Sequence, residues 1–368
     1  MQKYYCVDAF AGAGGLSLGL RSAGFEIAFA FDSNPIAIET YTENIGSHAE
    51  VLLSEQVTKP KLDSRYRSAT TRLDLLAGGP PCQGFSKQKR GAHNGDDRNR
   101  LIIDFARLIT DVNPKYFLLE NVAMLGQKRG RHYTDHVLKS LASSYRFYPH
   151  FYNAADYGLA QTRERFILIG EARDLPARFQ VPEATVDTWT TVGAVLAELP
   201  EPPLDYSEHT DYANHYRAKV TPINIERFSF VPQGGGWQDI PMQHRLPCHQ
   251  IVDTSSGGWP DVYGRLRLDG QCPTITAGFD SFTRGRYGHP IEDRPLTPRE
   301  AARLQGFPDS FRFKGTRWDV RLQIGNAVPP PLAKTIGNAI LQALRGESKK
   351  RNMSGAQVSF FNADEVAV

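Results

Sequence analysis

The sequence predicts an α/β protein with a mostly parallel sheet, followed by a smaller loop- and strand-rich domain. In the first half of the chain, short apolar segments alternate with segments whose apolar residues have helical spacing. From about residue 182, prolines and glycines become frequent and the helical spacing fades. Because a crossover helix separates consecutive parallel strands, the βαβα order predicts helices on both faces of one sheet. The length of 368 residues is sufficient for two domains.

The predicted elements follow in order along the chain. Apolar runs predict strands at Tyr4–Ala9, Phe25–Phe31, Leu73–Ala77, Tyr116–Glu120 and Phe166–Gly170. Helical spacing predicts helices at Leu16–Ala23, Pro35–Tyr41, Leu101–Thr110, Thr297–Gln305 and Pro331–Leu344. We expect a first domain over residues 1–185, completed by 321–346, a second domain over 186–320, and a mobile polar tail over 347–368.

Composition excludes several classes of protein. A hydrophobic content of 40% and a mean hydropathy of −0.41 predict a soluble globular chain. The absence of an 18-residue apolar run and of a signal-peptide pattern predicts a cytoplasmic protein without membrane contact. The four cysteines are widely spaced, so we expect no metal site and a reducing environment. The net charge of +3 does not by itself indicate a nucleic-acid binder, although basic residues cluster at 87–100, 284–286 and 312–321.

A glycine-rich turn at residues 10–15 joins the first predicted strand to the first predicted helix. Its glycines allow backbone amides and the helix N-terminus to approach a polar ligand. Asp32 closes the second strand, where an acid can bind ribose hydroxyls or act as a helix cap. Ser17 stands at the third glycine position of the dinucleotide pattern, which favours a nucleoside ligand such as S-adenosylmethionine over a nicotinamide or flavin.

The segment Gly78–Ser86 presents Cys82 after a double proline, just beyond an apolar strand. Proline fixes φ, so Pro80 and Pro81 stiffen the backbone ahead of the sulfur, and the flanking glycines allow close approach of a ligand. A rigidly presented thiol at the end of a strand indicates a nucleophile. A small buried cysteine in an ordinary turn is the alternative.

These segments resemble, in order, the motifs of DNA (cytosine-5)-methyltransferases of the bacterial restriction–modification type. The matching segments are Asp8–Gly15, Pro80–Gln83, Glu120–Val122, Gln161–Arg165, Arg294–Glu300 and Gln323–Val328. The resemblance implies a Rossmann-like S-adenosylmethionine-dependent catalytic domain and a target-recognition domain over residues 186–320. The chain departs from the family at Leu53–Glu55, where the usual adenine-contacting Asp is not evident, and at Ala327, where the family has Ser.

The resemblance implies transfer of a methyl group from S-adenosylmethionine to carbon 5 of a flipped-out cytosine in duplex DNA, with S-adenosylhomocysteine as product. Cys82 is expected to bond to carbon 6 of the base, and Glu120 to hydrogen-bond ring nitrogen N3. Arg165 is expected to hold the base O2 and orient Glu120, and Arg163 to contact a phosphate or the loop carrying Cys82. A solvated acid at a strand end and surface salt bridges are the alternatives for Glu120 and the two arginines.

The same resemblance gives the expected binding residues. Expected cofactor contacts are Phe10, Ala11, Gly12, Gly14, Gly15, Asp32, Pro81, Leu101, Asn326 and Ala327. Expected DNA contacts on a basic loop after the cysteine are Ser86, Lys87, Lys89, Arg90 and Arg98. Expected DNA contacts in the recognition region are Gln233, Gly235, Gly236, Trp237, Gln238, Thr276, Arg284 and Arg286. Arg and Gln are favoured there because they pair with guanine and adenine edges.

The expected partners are double-stranded DNA and a cognate restriction endonuclease, with the methyltransferase itself a monomer. Three other functions compete: a related enzyme that methylates transfer RNA, a catalytically silent DNA-binding regulator, and a nicotinamide oxidoreductase suggested only by the glycine turn. The Gly84–Ser86 segment favours the DNA enzymes, and the joint presence of Cys82, Glu120 and Arg165 argues against a silent regulator.

Overall fold

A mostly parallel sheet with helices around it forms the first part of the chain, and loops with short helices form most of the remainder. The computed structural model describes residues 2–66, 72–81, 100–127, 130–251, 259 and 261–347. Its strands are β1 (Tyr4–Ala9), β2 (Phe25–Asp32), β3 (Ala49–Val51), β4 (Leu75–Gly78), β5 (Tyr116–Val122), β6 (Tyr145–Asn153), β7 (Gln161–Thr162), β8 (Glu164–Ala172) and β9 (Cys272–Pro273). Its helices are α1 (Gly15–Ala23), α2 (Pro35–Asn44), α3 (Lys59–Tyr66), α4 (Arg100–Val112), α5 (Arg131–Leu141), α6 (Val192–Leu196), α7 (Pro222–Ser229), α8 (Pro247–Gln250), α9 (Pro298–Leu304), α10 (Arg317–Asn326) and α11 (Pro330–Arg345).

Seven of these strands form one sheet in the order β3-β2-β1-β4-β5-β8-β6. The neighbours from β3 to β5 pair in parallel, whereas β8 is antiparallel to both β5 and β6. The predicted mostly parallel sheet is therefore confirmed. Ala9, Gly78 and Leu119 lie side by side in the register, so the chain leaves β1 and β4 at the same edge at which Glu120 lies on β5. Ligands of open α/β sheets bind at this carboxyl edge.

The helices that were predicted from apolar spacing are present, and local signals set their ends. Gly14 and Gly24 flank α1 with φ angles of 98° and 115°, a left-handed conformation that favours glycine. The side chain of Asn34 accepts hydrogen bonds from Ile36 N and Ala37 N and so caps α2. None of the described helices combines the length and apolar character that a membrane crossing needs.

The C-terminal helix α11 packs against the sheet domain. Leu332, Ile336 and Ile340 are buried in one apolar cluster with Leu16 and Leu20 of α1. A Cβ on Gly19 would lie only 2.4 Å from Pro330 O, so the two helices approach closely at a glycine. The chain thus returns to the sheet through its C-terminal helix.

The predicted loop-rich character of residues 186–320 is confirmed, but the predicted strand-rich character is wrong. Among the described residues of this region, β9 is the only named strand, and it has two residues that pair with β7. Proline has no N–H to donate to a ladder, so the frequent prolines that marked the domain also interrupt its strands. Side-chain hydrogen bonds to carbonyls replace ladders here: Arg265 donates to the carbonyls of Phe228, Val231, His289 and Glu292.

Candidate active site

The backbone that leads to Cys82 is held against the end of β5. Asn121 Nδ2 donates a 2.9 Å hydrogen bond to Pro80 O, and a Cβ on Gly79 would lie 3.1 Å from Glu120 Oε2. Residues 82–99 lie outside the described residues, and with them Cys82 and the expected DNA contacts Ser86, Lys87, Lys89, Arg90 and Arg98. Gly79, three residues before Cys82 in sequence, therefore lies next to Glu120.

Glu120 and Arg165 form a buried ion pair at this point. Arg165 Nε lies 2.9 Å from Glu120 Oε1, and each side chain is only 10% exposed. The pairing of β5 with β8 creates this contact, since Val122 lies opposite Arg165 and Glu120 opposite Ile167. Burial raises the pKa of Glu120, and the positive charges of Arg165 and Arg163 oppose that rise. The alternative of a solvated strand-end acid is therefore wrong.

Polar atoms of this pair remain available to a ligand. Arg165 Nη1 donates to Glu164 O at 2.7 Å, which fixes the guanidinium plane through the neighbouring backbone. The ion pair is made through Glu120 Oε1 and Arg165 Nε, so Glu120 Oε2 and Arg165 Nη2 are the atoms of the two groups that it does not use. A planar pyrimidine edge offers a donor or acceptor to each of them. The arrangement can therefore hold a base by one carboxyl and one guanidinium group.

Arg163 has a different place from the one that was expected. It is 1% exposed, and its Nη atoms donate to the carbonyls of Ile275 (2.8 Å), Gly325 (3.0 Å) and Ala327 (3.0 Å). The expected contact with a phosphate is wrong because the guanidinium is enclosed and occupied by carbonyl groups. The alternative contact, with the loop that carries Cys82, falls on residues outside the described part of the chain. Arg163 instead joins β8 to the loop after β9 and to the end of α10.

The glycine turn after β1 leaves open space beside an acid. Gly12 N donates to Asp32 Oδ2 at 2.9 Å, while Asn34 N donates to Asp32 Oδ1 at 2.8 Å. A Cβ on Gly12 would meet nothing within 4 Å, and Gly12 and Phe10 have φ angles of 53° and 58°. Burial raises the pKa of Asp32, and the amides of Asn34 and Gly12 oppose this. The turn and the carboxylate can together receive a polar, sugar-bearing ligand.

The other expected cofactor residues divide into surface and packing positions. Gly14 and Gly15 are buried, with Cβ positions 2.2 Å from Ile45 Cδ1 and 2.4 Å from Val328 O, so they permit packing within the protein. Asn326 is exposed at the end of α10, and Ala327 is half-buried beside it. The remaining expected positions lie at the same carboxyl edge: Ala11 is buried, Pro81 is exposed, and Leu101 is half-buried in the first turn of α4.

One expected residue in the recognition region proves to be structural. Trp237 is 2% exposed, packs with Phe228 and Tyr263, and donates from Nε1 to Trp259 O at 3.1 Å. The expected contact of Trp237 with DNA is wrong because its ring forms part of the core of this region. Gly236 is also buried, whereas Gln233 and Gln238 are exposed and Gly235 is half-buried.

The remaining expected residues of the recognition region differ in whether their polar atoms already have hydrogen-bond partners within the protein. Arg286 Nη1 donates to Gly234 O at 2.7 Å and also to Gly235 O, so it supports the glycine loop. Gln233 Oε1 accepts from Leu268 N, and the Thr276 hydroxyl lies 3.2 Å from that of Tyr287. Arg284 is exposed and lies over the backbone at Gly278. Arg284 and Gln238 are therefore the side chains of this set best placed to reach a partner.

Sequence reasoning missed a buried acid at the base of the cofactor turn. Asp8 is fully buried on β1, accepts a 2.6 Å hydrogen bond from the Ser17 hydroxyl, and has no partner for Oδ1 among the described residues. Burial raises the pKa of Asp8 to about 7. The signal was present in the sequence, since an acid inside an apolar strand needs a partner, and Ser17 one turn into α1 was the available hydroxyl.

Comparison with known proteins gives consistent similarities along the chain. Residues 4–342 match the family described as C-5 cytosine-specific DNA methylase. The type II methyltransferase M.XorII of Xanthomonas oryzae is 35% identical over 373 residues, which cover 94% of this chain and 86% of that protein. M1.HphI of Haemophilus parahaemolyticus, also a type II methyltransferase, is 34% identical over 93% of this chain and 90% of its own.

Solved structures give the same result at the level of the fold. A DNA modification methyltransferase encoded within a prophage of E. coli has a TM-score of 0.73 and 26% identity, over 93% of this chain and 100% of that one. The Entamoeba histolytica methyltransferase EhMeth has a TM-score of 0.61 at 16% identity, over 94% of this chain and 99% of its own. Both similarities include the region 186–320 as well as the sheet.

Proposed function

Since the chain belongs to the family of C-5 cytosine-specific DNA methylases and is a DNA (cytosine-5)-methyltransferase, we propose that Cys82, Glu120 and Arg165 are its catalytic residues. The single observation that carries this assignment is the buried Glu120–Arg165 pair, which lies against the Gly79–Pro80 backbone just before the cysteine. A carboxyl and a guanidinium with free polar atoms are thereby combined with the segment that presents a thiol.

The cofactor proposed for this site is S-adenosylmethionine, whose sulfonium supplies the methyl group. The residues present fit such a ligand: Gly12 faces open space, and the Asp32 carboxylate beside it can accept hydrogen bonds from ribose hydroxyls. Phe10 offers an aromatic side chain at the same turn, and Asn326 is exposed where α10 ends. Leu53, 51% exposed after β3, offers an apolar contact where the family has an acid.

The thiolate of Cys82 is proposed to begin the reaction by forming a bond to carbon 6 of cytosine. This step breaks the aromaticity of the ring and gives carbon 5 the electron density it needs to take the methyl group. Loss of the carbon-5 proton and breaking of the carbon 6–sulfur bond then restore the ring and return the thiolate. A free cysteine has a pKa of about 8.5, so nearby positive charge favours the reactive form.

Glu120 is proposed to donate a hydrogen bond to ring nitrogen N3 while Arg165 holds the base O2. A carboxyl can donate only when it carries a proton, and burial raises the pKa of Glu120 in that direction. Its pairing with Arg165 sets the orientation of the carboxyl through Oε1 and leaves Oε2 for the base. Arg163 acts as a positioning residue, since its guanidinium is enclosed by three carbonyl groups.

The substrate is proposed to be a specific sequence in duplex DNA, read by the domain at residues 186–320, within a restriction–modification system. The names of M.XorII and M1.HphI as type II methyltransferases support this setting. A base must leave the duplex to reach a buried pair such as Glu120–Arg165, at a cost of a few kcal/mol in stacking and pairing. Arg284 and Gln238 are the proposed side chains for contact with DNA, because both are exposed.

The test is expression in a methylation-free bacterial host, followed by bisulfite sequencing of the host DNA. We expect 5-methylcytosine at one short sequence. A synthetic duplex of that sequence, with 5-fluorocytosine in place of the methylated cytosine, should leave a covalent adduct on Cys82. Cys82→Ser should abolish both results. Cys248→Ser is the matched control, since Cys248 is an exposed cysteine, and it should retain both. Unmodified host DNA would contradict the proposed substrate, and an active Cys82→Ser enzyme would contradict the nucleophile.

A further inference from the structure

A short segment of the second domain lies directly on the helix that carries the proposed cofactor contact. We call residues 274–280 the recognition strap, because it follows β9 and leads to Arg284. At its start, Thr274 Oγ1 donates to Thr162 O at 2.9 Å and Ile275 N donates to Gln161 Oε1 at 2.9 Å. Ile275 and Phe279 are fully buried. The recognition strap is therefore fixed to the sheet domain next to Arg163 and Arg165.

The middle of the recognition strap touches the end of α10. A Cβ on Gly325 would lie 2.4 Å from Ala277 N and 2.6 Å from the carbonyl carbon of Thr276, so only a glycine permits this approach. Arg163 donates from one guanidinium to Ile275 O in the recognition strap and to Gly325 O and Ala327 O at the end of α10. The residue between the last two, Asn326, is the proposed cofactor contact.

The end of the recognition strap is joined to α10 by an ion pair. Arg321 Nη1 lies 2.8 Å from Asp280 Oδ1 and 3.1 Å from Oδ2, with the two side chains 21% and 16% exposed. The Arg321 guanidinium also lies 4.7 Å from the ring centre of Trp318. Because both charged groups are mostly shielded from water, salt screens this pair less than an exposed pair. The ion pair therefore connects the end of the recognition strap to α10.

We propose that the Asp280–Arg321 ion pair is a coupling joint through which cofactor binding and DNA recognition strengthen each other. The proposal rests on the proposed function, since it assigns the cofactor to the Asn326 end of α10 and DNA to the side of the strap that leads to Arg284. Asp280 and Arg321 are positioning residues and touch neither ligand. Thermodynamic linkage makes this effect reciprocal. If cofactor binding raises the affinity for DNA by some factor, DNA binding raises the affinity for the cofactor by the same factor.

The experiment measures the affinity of the full chain for S-adenosylhomocysteine by calorimetry, with and without saturating cognate duplex found by bisulfite sequencing. This product is the probe because no methyl transfer consumes it. We expect the duplex to tighten binding by about 5-fold or more in the wild type, which is within the usual range of coupling. Asp280→Asn should bring that ratio from about 5 or more to about 2 or less, towards one, and leave the affinity without DNA within about 2-fold of the wild-type value.

Asp309→Asn is the matched control. Asp309 forms a similar two-oxygen pair with Arg303, at 2.8 and 2.7 Å, that does not involve the recognition strap. It should keep the wild-type ratio even if its melting temperature falls. A charge exchange, Asp280→Arg with Arg321→Asp, should restore part of the ratio that either single change loses. Arg321→Gln, which removes the positive charge of the pair, provides a second route to the measurement if Asp280→Asn does not fold.

The possible failures of the two proposals differ. A wild-type ratio of one overturns the coupling joint while DNA methylation stands. So does a wild-type ratio that is retained in both Asp280→Asn and Arg321→Gln. Equal losses in Asp309→Asn and Asp280→Asn would also overturn it, because a general loss of stability would then explain the effect. Unmethylated host DNA with the wild-type chain overturns the proposed function, and the coupling joint with it.

Discussion

Asp8→Asn measures how much the buried carboxyl below the glycine turn changes the free energy of unfolding. The carboxyl is fully buried on β1, with the Ser17 hydroxyl as its donor and no partner for Oδ1 among the described residues. Burial raises its pKa from 3.8 to about 7. A group with a raised folded-state pKa stabilises the fold below its unfolded-state pKa, and this contribution is lost as the pH rises through the folded-state value.

The size of this effect follows from the two pKa values. The rise from 3.8 to about 7 corresponds to about 4 kcal/mol, at about 1.4 kcal/mol for each pH unit. We expect the Asp8 contribution to fall by about this amount between pH 4 and pH 7 in the wild type, and Asp8→Asn to lack this fall. If the amide of Asp8→Asn leaves an atom unpaired, its free energy of unfolding would be lower at every pH, but its dependence on pH would not change.

The assay is urea unfolding of both proteins at several pH values from 4 to 8, followed by tryptophan fluorescence. The quantity of interest is the difference between the two free energies of unfolding at each pH, because other titrating groups cancel in it. Ser17→Ala is the control: it keeps the carboxyl and removes its donor, so the fall with pH should persist. A difference between wild type and Asp8→Asn that stays constant from pH 4 to 7 would refute the assigned pKa.

Two further predictions concern residues whose roles the structure separates. Trp237→Ala should lower the free energy of unfolding by about 3–5 kcal/mol, since it empties the core of the second domain, as measured by urea unfolding; a change below about 1 kcal/mol would mean that the ring is not core. Glu120→Gln should reduce the single-turnover rate of methylation by about 10²–10⁴-fold, with S-adenosylhomocysteine affinity retained; an undiminished rate would exclude Glu120 as the donor to N3.

The sheet domain was predictable because its sequence repeats one signal. The parallel strands β1, β2, β4 and β5 are apolar runs, and the helices α1, α2 and α4 have apolar spacing, so these elements were found in order. The strand β6 was missed, and its sequence explains why. Most of its residues are only half-buried and several carry polar groups, as in Arg146 and His150, because it lies at the edge of the sheet. A half-exposed edge strand lacks the apolar run that marks a central one.

The candidate site was predictable as a set of residues but not as a set of roles. Arg163 and Arg165 lie two residues apart, and the sequence treats them alike. In the structure, Arg165 pairs with a carboxylate, while Arg163 is occupied by three carbonyl groups from elements more than 100 residues away in sequence. The same ambiguity applied to Trp237 and Arg286, which were both expected on DNA: Trp237 lies in the core, whereas Arg286 is half-buried and donates to Gly234 O. Local sequence gives the donor, but only the tertiary fold gives its acceptor.

The arginines of this chain show how a domain poor in strands acquires a fixed shape. Backbone carbonyls without a ladder partner must be satisfied when buried, and one guanidinium can satisfy several of them at once. Arg265, Arg163 and Arg299 each donate to three or more carbonyls from separate segments. Removal of such an arginine leaves several buried acceptors unpaired at once, whereas an exposed arginine leaves none. These internal arginines are therefore poor candidates for DNA contacts despite their charge.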